Sequence, residues 1–108
     1  MKKAAIIGGS MSGLFAANFL KQINWDYSVH EMVPEPLSGR GAGIATYDEL
    51  AELVKLTTGY KQSLGTTCDE RIVLNKKNSV VTKMKYPQVF TSWQYLYDVL
   101  LSNIDKKK

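Results

Sequence analysis

Six residues near the start, Gly8-Gly9-Ser10-Met11-Ser12-Gly13, and one carboxylate further on, Glu31, have the types and spacing to hold a phosphorylated ligand. Glycines let a strand turn sharply into a helix. The first amides of that helix lack an intrahelical acceptor, so they and the positive end of the helix favour an anion. In the pattern G-x-G-x-x-G, the first glycine permits the turn and the second admits a diphosphate against the backbone. The third lets helix and strand pack closely. Here Gly8 and Gly13 fill the outer positions and Ser10 replaces the middle glycine, with a hydroxyl able to donate to a phosphate oxygen. Glu31 follows Gly13 by 18 residues, where an acidic side chain ending a second strand accepts hydrogen bonds from a ribose hydroxyl. A carboxylate in that place disfavours a 2′-phosphate, and so NADP in this slot. A glycine turn also occurs without a ligand, and a lone Glu at a strand end is often just solvated. The two together point to a dinucleotide.

The flanking residues supply the elements this needs. Ala4-Ala5-Ile6-Ile7 is a short apolar run suited to a buried parallel strand. Residues 12–23 carry Leu14, Phe15, Ala17, Phe19, Leu20 and Ile23 at helical spacing, and Asn24 ends them. Tyr27–Glu31 reads as a second strand, which completes a right-handed βαβ unit. Residues 32–45, with Pro34, Pro36, Gly39, Gly41 and Gly43, read as a long loop. Thr46 and Glu49 form a capping box for a helix over about 47–58, carrying Leu50, Leu53, Val54 and Leu56 and stopping at Gly59. Residues 60–68 read as a connector; Arg71–Asn75 and Ser79–Met84 read as strands of a hairpin turning at 75–78. Thr91 and Gln94 suggest a second capping box for a helix over about 92–104, with Trp93, Leu96, Tyr97, Leu100 and Ile104 on one face. The fold class expected is α/β: an incomplete Rossmann-type βαβ unit with an added β-hairpin and helices.

Composition narrows the function classes. The 108 residues suffice for one small domain, and 44% hydrophobic with 22% charged residues is ordinary for a globular chain. No apolar run approaches the ~18 residues of a membrane span, and the run after Lys2-Lys3 ends too soon for a signal peptide, so a cytoplasmic protein is expected. The net charge of +4 owes three units to Lys106-Lys107-Lys108, leaving +1 for residues 1–105, with no basic stripe for nucleic acid. Residues 1–105 are therefore read as the folded part and 106–108 as a lysine tail. The lone Cys68 forms no internal disulfide and is expected to be partly buried. His30 alternates to the face opposite its strand neighbours and is read as a surface residue. Trp25, Trp93, Tyr86, Tyr95 and Tyr97 fit packing better than base stacking, and Asp48 and Glu49 fit the start of a helix.

The stretches Ile6–Leu14, Glu31, Pro36-Leu37-Ser38-Gly39-Arg40-Gly41-Ala42-Gly43-Ile44 and Thr91-Ser92-Trp93 resemble the opening of the single-component FAD-dependent aromatic hydroxylases, most of all the 2,6-dihydroxypyridine 3-monooxygenase type. The likeness covers most of residues 4–104 apart from the hairpin. It implies an FAD-binding fold with the pyrophosphate over Gly8, Gly9, Ser10, Met11 and Gly13. It also implies Glu31 on the adenosine ribose, and Arg40 and Gly41 in a loop along the ribityl chain. It implies NADPH as a transient reductant without a Rossmann site of its own, and O2 as co-substrate in hydroxylating a small aromatic or pyridine-type ring. The chain departs from many relatives at Met32, after the ribose-binding Glu, and at Trp93, where an arginine often opens the last helix. Arg40 also falls adjacent to the register of the arginine that some relatives carry in this loop.

The family's later segments and the third parallel strand would lie downstream of residue 104. The chain is therefore expected to be the opening part of such an enzyme and not to turn over alone. The alternative is a non-catalytic remnant module that binds an adenine nucleotide, or nothing, and self-associates through an unpaired sheet edge. An NAD-dependent oxidoreductase is disfavoured by the long Pro36–Ile44 loop.

Overall fold

A computed structural model describes every residue except Met1, Glu35, Arg40, Ala42 and 105–108. The chain opens as the hydrophobic pattern requires. Strand β1 (Lys3–Ile7) runs into helix α1 (Met11–Gln22), which returns the chain to strand β2 (Asp26–His30). β1 and β2 pair in parallel, with Ala4 opposite Tyr27 and Ile6 opposite Val29. These four residues share the covered face of the pair. Ala5, Ile7, Ser28 and His30 share the other, where Ile7 is 82% exposed. Asn24 takes the left-handed conformation (φ 58°) that ends α1.

The long loop is shorter than its composition suggests, because Gly43–Ala45 forms a strand, β3. Helix α2 (Asp48–Thr58) follows, closed by Gly59 at φ 77°. The rest of the chain is a long antiparallel ribbon, β4 (Thr66–Leu74) and β5 (Val80–Ser92), leading into helix α3 (Trp93–Ser102). β5 is central, with β3 on one side of its end and β4 on the other. The ribbon turns where expected, with Asn75 Oδ1 accepting from the Lys77 and Ser79 amides and Asn78 at φ 61°. It also begins five residues earlier than expected, so the last three residues of the connector at 60–68 are strand.

The ribbon projects from the body. The molecule measures 60 × 27 × 17 Å, and its radius of gyration is 17.5 Å, against about 13 Å for a compact chain of this length. All of β4 is exposed. Arg71 lies over the Tyr86 ring and donates to Gln88 on one face, while Glu70 meets Lys83 at 3.3 Å on the other. Cys68, expected to be partly buried, is exposed because it belongs to this uncovered ribbon.

The core lies between the three helices and one face of the parallel pair. It comprises Leu14 and Ala17 of α1, Tyr27, Leu37, Val54, Leu64, and the Leu96, Tyr97, Val99, Leu100, Ile104 stretch. The expected apolar face of the last helix is thus buried, with Trp93 at its edge. Phe19 and Ile23, counted with the α1 face, are exposed.

Neither expected capping box forms. Thr46 precedes the N-cap, Tyr47, and its hydroxyl and amide both donate to the Val89 carbonyl, at 2.7 and 2.8 Å. The threonine ties α2 to β5 and leaves the helix end uncapped. At α3 the cap is Ser92, whose Oγ accepts from the Tyr95 amide at 3.1 Å; Thr91 is still strand, paired with Ile44.

One buried polar residue joins the helices. Asn18, fully buried, donates to the carbonyls of Leu14 (2.8 Å) and Leu100 (3.1 Å) and accepts from Asn103 Nδ2 (2.7 Å). Asn18→Leu leaves the Leu100 carbonyl and Asn103 amide short of a partner, and is expected to lower stability by about 2–3 kcal/mol in urea unfolding.

Among the described residues no helix is long and apolar enough to cross a membrane, and no three or more His, Cys, Asp or Glu residues cluster as metal ligands.

Candidate functional site

The turn after β1 is built by contacts with the end of β2. Gly8, at φ 108°, lies in a region that side-chain-bearing residues rarely adopt, and its amide donates to the His30 carbonyl at 2.8 Å. The next amide, of Gly9, donates to Glu31 Oε1 at 3.0 Å. The other carboxylate oxygen of Glu31 accepts from the Val33 amide at 2.9 Å. One side chain thus anchors the dinucleotide-type turn and the start of the following loop together. Val29 and Glu31 also press on Gly9, where a Cβ would lie 3.1 Å from Glu31 Cβ and 3.5 Å from Val29 Cγ1.

The third glycine does what its position demands. A Cβ on Gly13 would stand 1.9 Å from the Gly8 carbonyl oxygen and 3.2 Å from Ile6 Cγ2. Helix and turn therefore touch backbone to backbone. Ser10 is the extended N-cap of α1 and its side chain makes no capping bond. The first i to i−4 bond runs from Leu14 N to Ser10 O at 2.9 Å. The amides of Met11, Ser12 and Gly13 precede that bond and have no acceptor within the helix. No acidic residue stands in the first turn of α1 to compete for an anion. Met11 turns its side chain to the core, so only its backbone is offered to a ligand.

Six of the eight residues singled out from the sequence, Gly8, Gly9, Ser10, Met11, Gly13 and Glu31, therefore meet in one place. Gly41 belongs to a second group, against α3: a Cβ there would lie 2.4 Å from Trp93 Cβ. Arg40 lies outside the described residues. Spacing gave no signal for three further residues of that second group. The Leu37 amide donates to the Tyr97 hydroxyl at 3.0 Å, and Gln94 Nε2 donates to the Leu37 carbonyl at 3.3 Å. Helical periodicity marked Tyr97 as a core residue, but nothing local to it indicates a partner 60 residues earlier. Two buried polar atoms have no partner among the described residues, Thr91 Oγ1 and Gln94 Oε1. Both belong to residues that flank this loop.

His30 is exposed and its Nε2 lies 2.9 Å from Ser28 Oγ, on the open face of the parallel pair. A separate cleft of about 460 Å³ sits at the root of the ribbon, lined among others by Tyr47, Asp48, Glu49, Tyr60 and Tyr86. Its two carboxylates repel phosphate, and its Tyr60 hydroxyl is paired with that of Tyr95, which raises the Tyr60 pKa. The glycine turn offers helical amides with no acceptor inside the helix and a carboxylate beside them, and is the better candidate for a nucleotide.

No family model matches the chain. Over 48 residues, 44% of this chain and 12% of the relative, it is 48% identical to 2,6-dihydroxypyridine 3-monooxygenase from Paenarthrobacter nicotinovorans. The solved 2,6-dihydroxypyridine-3-hydroxylase from Arthrobacter nicotinovorans superposes with a TM-score of 0.86 at 30% identity, over 98% of this chain and 27% of that one. A 2-methyl-3-hydroxypyridine-5-carboxylic acid oxygenase gives 0.70 at 29% identity, over 95% of this chain and 29% of that one. HpxO of Klebsiella pneumoniae, solved with FAD and uric acid, shares the fold, with a TM-score of 0.69 at 21% identity over 94% of this chain and 28% of that one. In sequence and fold the chain is similar to part of these pyridine-ring hydroxylases, and it spans about a quarter of the length of the solved ones.

Proposed function

We propose that the Gly8–Gly13 turn and Glu31 hold the ADP half of FAD, and that the chain is the flavin-binding part of a monooxygenase acting on a pyridine-type or other aromatic ring. The observation that carries this reading is the Glu31 carboxylate, 3.0 Å from the Gly9 amide at the amino end of α1. The likeness to pyridine-ring hydroxylases, and the FAD bound in HpxO, support it.

The residues present fit the group. Gly9 and Gly13 leave no room for side chains that would fill the cradle, and the amides of residues 11–13 face out of the helix end. Ser10 adds a hydroxyl beside them. Glu31 accepts from the Gly9 amide on one oxygen and from the Val33 amide on the other, and an acid at this place after the second strand is the kind of group that accepts from ribose hydroxyls. Gly41, with Arg40 beside it in sequence, would border the ribityl chain, and the buried Thr91 and Gln94 oxygens flank the same loop. FAD, when bound, supplies the redox chemistry that consumes NAD(P)H and O2. This chain's residues orient it and fix its nucleotide end; the ring substrate and its pocket belong to a longer enzyme.

The test is retention of flavin. Incubated with FAD and desalted, the protein is expected to elute yellow; a colourless protein overturns the reading. A second reading, a non-catalytic module that self-associates, is favoured by one observation. The β1–β2 pair has no third strand on either edge among the described residues. It requires a colourless protein that elutes as a dimer or larger.

A further inference from the structure

One turn of α3 grips the glycine loop. Leu37 presents its peptide to that turn in both senses: its N–H donates to Tyr97 Oη at 3.0 Å and its carbonyl accepts from Gln94 Nε2 at 3.3 Å. Leu37 as a whole is 3% exposed. Trp93 stacks on Tyr97, with ring centroids 4.9 Å apart and planes 12° from parallel. The backbone at Gly41, φ 81°, lies so close to Trp93 that any side chain there would collide with it. Gln94 and Trp93 stand three and four residues before Tyr97, so both neighbour it on the helix surface.

We infer that Tyr97 and Gln94 are positioning residues that fix the Leu37 peptide of the glycine loop before any ligand arrives, with Trp93 as the surface against which Gly41 rests. For what the loop is positioned, this rests on the proposed FAD site; the clamp itself can be tested without flavin. Gln94 Nε2 also donates to Asp98 Oδ1, at 3.0 Å, one turn further along α3.

Arg40 places a trypsin-sensitive bond in this loop, and Lys76 and Lys77 place control bonds in the ribbon turn. Tyr97→Phe keeps the ring and its stack and removes only the hydroxyl. In the full chain without flavin, Y97F is expected to speed cleavage after Arg40 about fivefold, because cleavage follows the population of the opened loop. Adding Gln94→Ala is expected to speed it further, with cleavage after Lys76 and Lys77 unchanged in both variants. Unchanged cleavage after Arg40 in both variants overturns the clamp, as does equal acceleration at every site, which reports global loosening. With FAD added, a Y97F variant that binds as tightly as the parent overturns the positioning role and leaves the FAD site standing. A loosened loop in a protein that takes up no FAD keeps the clamp and removes the FAD reading.

Discussion

Gly13→Ala is expected to cost about 3 kcal/mol or more and to leave the amino-terminal βαβ unit without cooperative unfolding. The new Cβ would stand 1.9 Å from the Gly8 carbonyl oxygen, which is backbone and cannot rotate away. Relief requires α1 to move off β1, which opens the contacts of Leu14 and Ala17 with the core. Gly8→Ala serves as the comparison. Nothing lies within 4 Å of its added carbon, so its cost is only that of holding alanine at φ 108°, about 1–2 kcal/mol. Urea unfolding followed by circular dichroism checks both. Equal midpoints for the two variants would show that the close approach at Gly13 is not what holds helix to strand.

Glu31→Ala is expected to weaken FAD binding about a hundredfold or more, since hydrogen bonds to a charged group contribute about 1.5–3 kcal/mol each. The loss has two parts. The ribose hydroxyls lose their acceptor, and the Gly9 and Val33 amides lose the carboxylate that sets the turn before the ligand arrives. Glu31→Gln separates them. One amide oxygen still accepts, but the NH2 group now faces the second backbone N–H, so an intermediate loss is expected. Titration of FAD by flavin fluorescence measures the series. A Glu31→Ala protein that binds as the parent does would remove Glu31 from the site.

The βαβ unit was legible because each signal in it is local. A four-residue apolar run, a helical stripe and two glycines at fixed offsets need no knowledge of the rest of the chain. Glu31 was legible for the same reason, as an acid at a set distance past the turn. What could not be read depended on distant partners. Thr46 has the right side chain for a cap, but the Val89 carbonyl takes its hydroxyl, and a helix signal cannot anticipate a strand 43 residues away. Thr91 fails as a cap because β5 runs through it to Ser92, paired with Gly43 and Ile44. The early part of β4, Thr66–Glu70, was hidden because strand patterns reveal themselves through one buried face, and this ribbon buries neither. The exposure of Cys68 follows from the same cause. The α3 clamp was invisible because helical spacing says which face is apolar and nothing about where a tyrosine hydroxyl ends.

The most direct test of the central claim is a map of backbone amide NMR shifts as FAD is added to the labelled chain. The account predicts that the largest shifts fall on Gly9, Ser10, Met11, Ser12 and Gly13, with a second group at Glu31 and Val33. Shifts confined to Tyr47–Glu49, Tyr60 and Tyr86, with the glycine turn silent, would place the ligand in the ribbon-root cleft and contradict it.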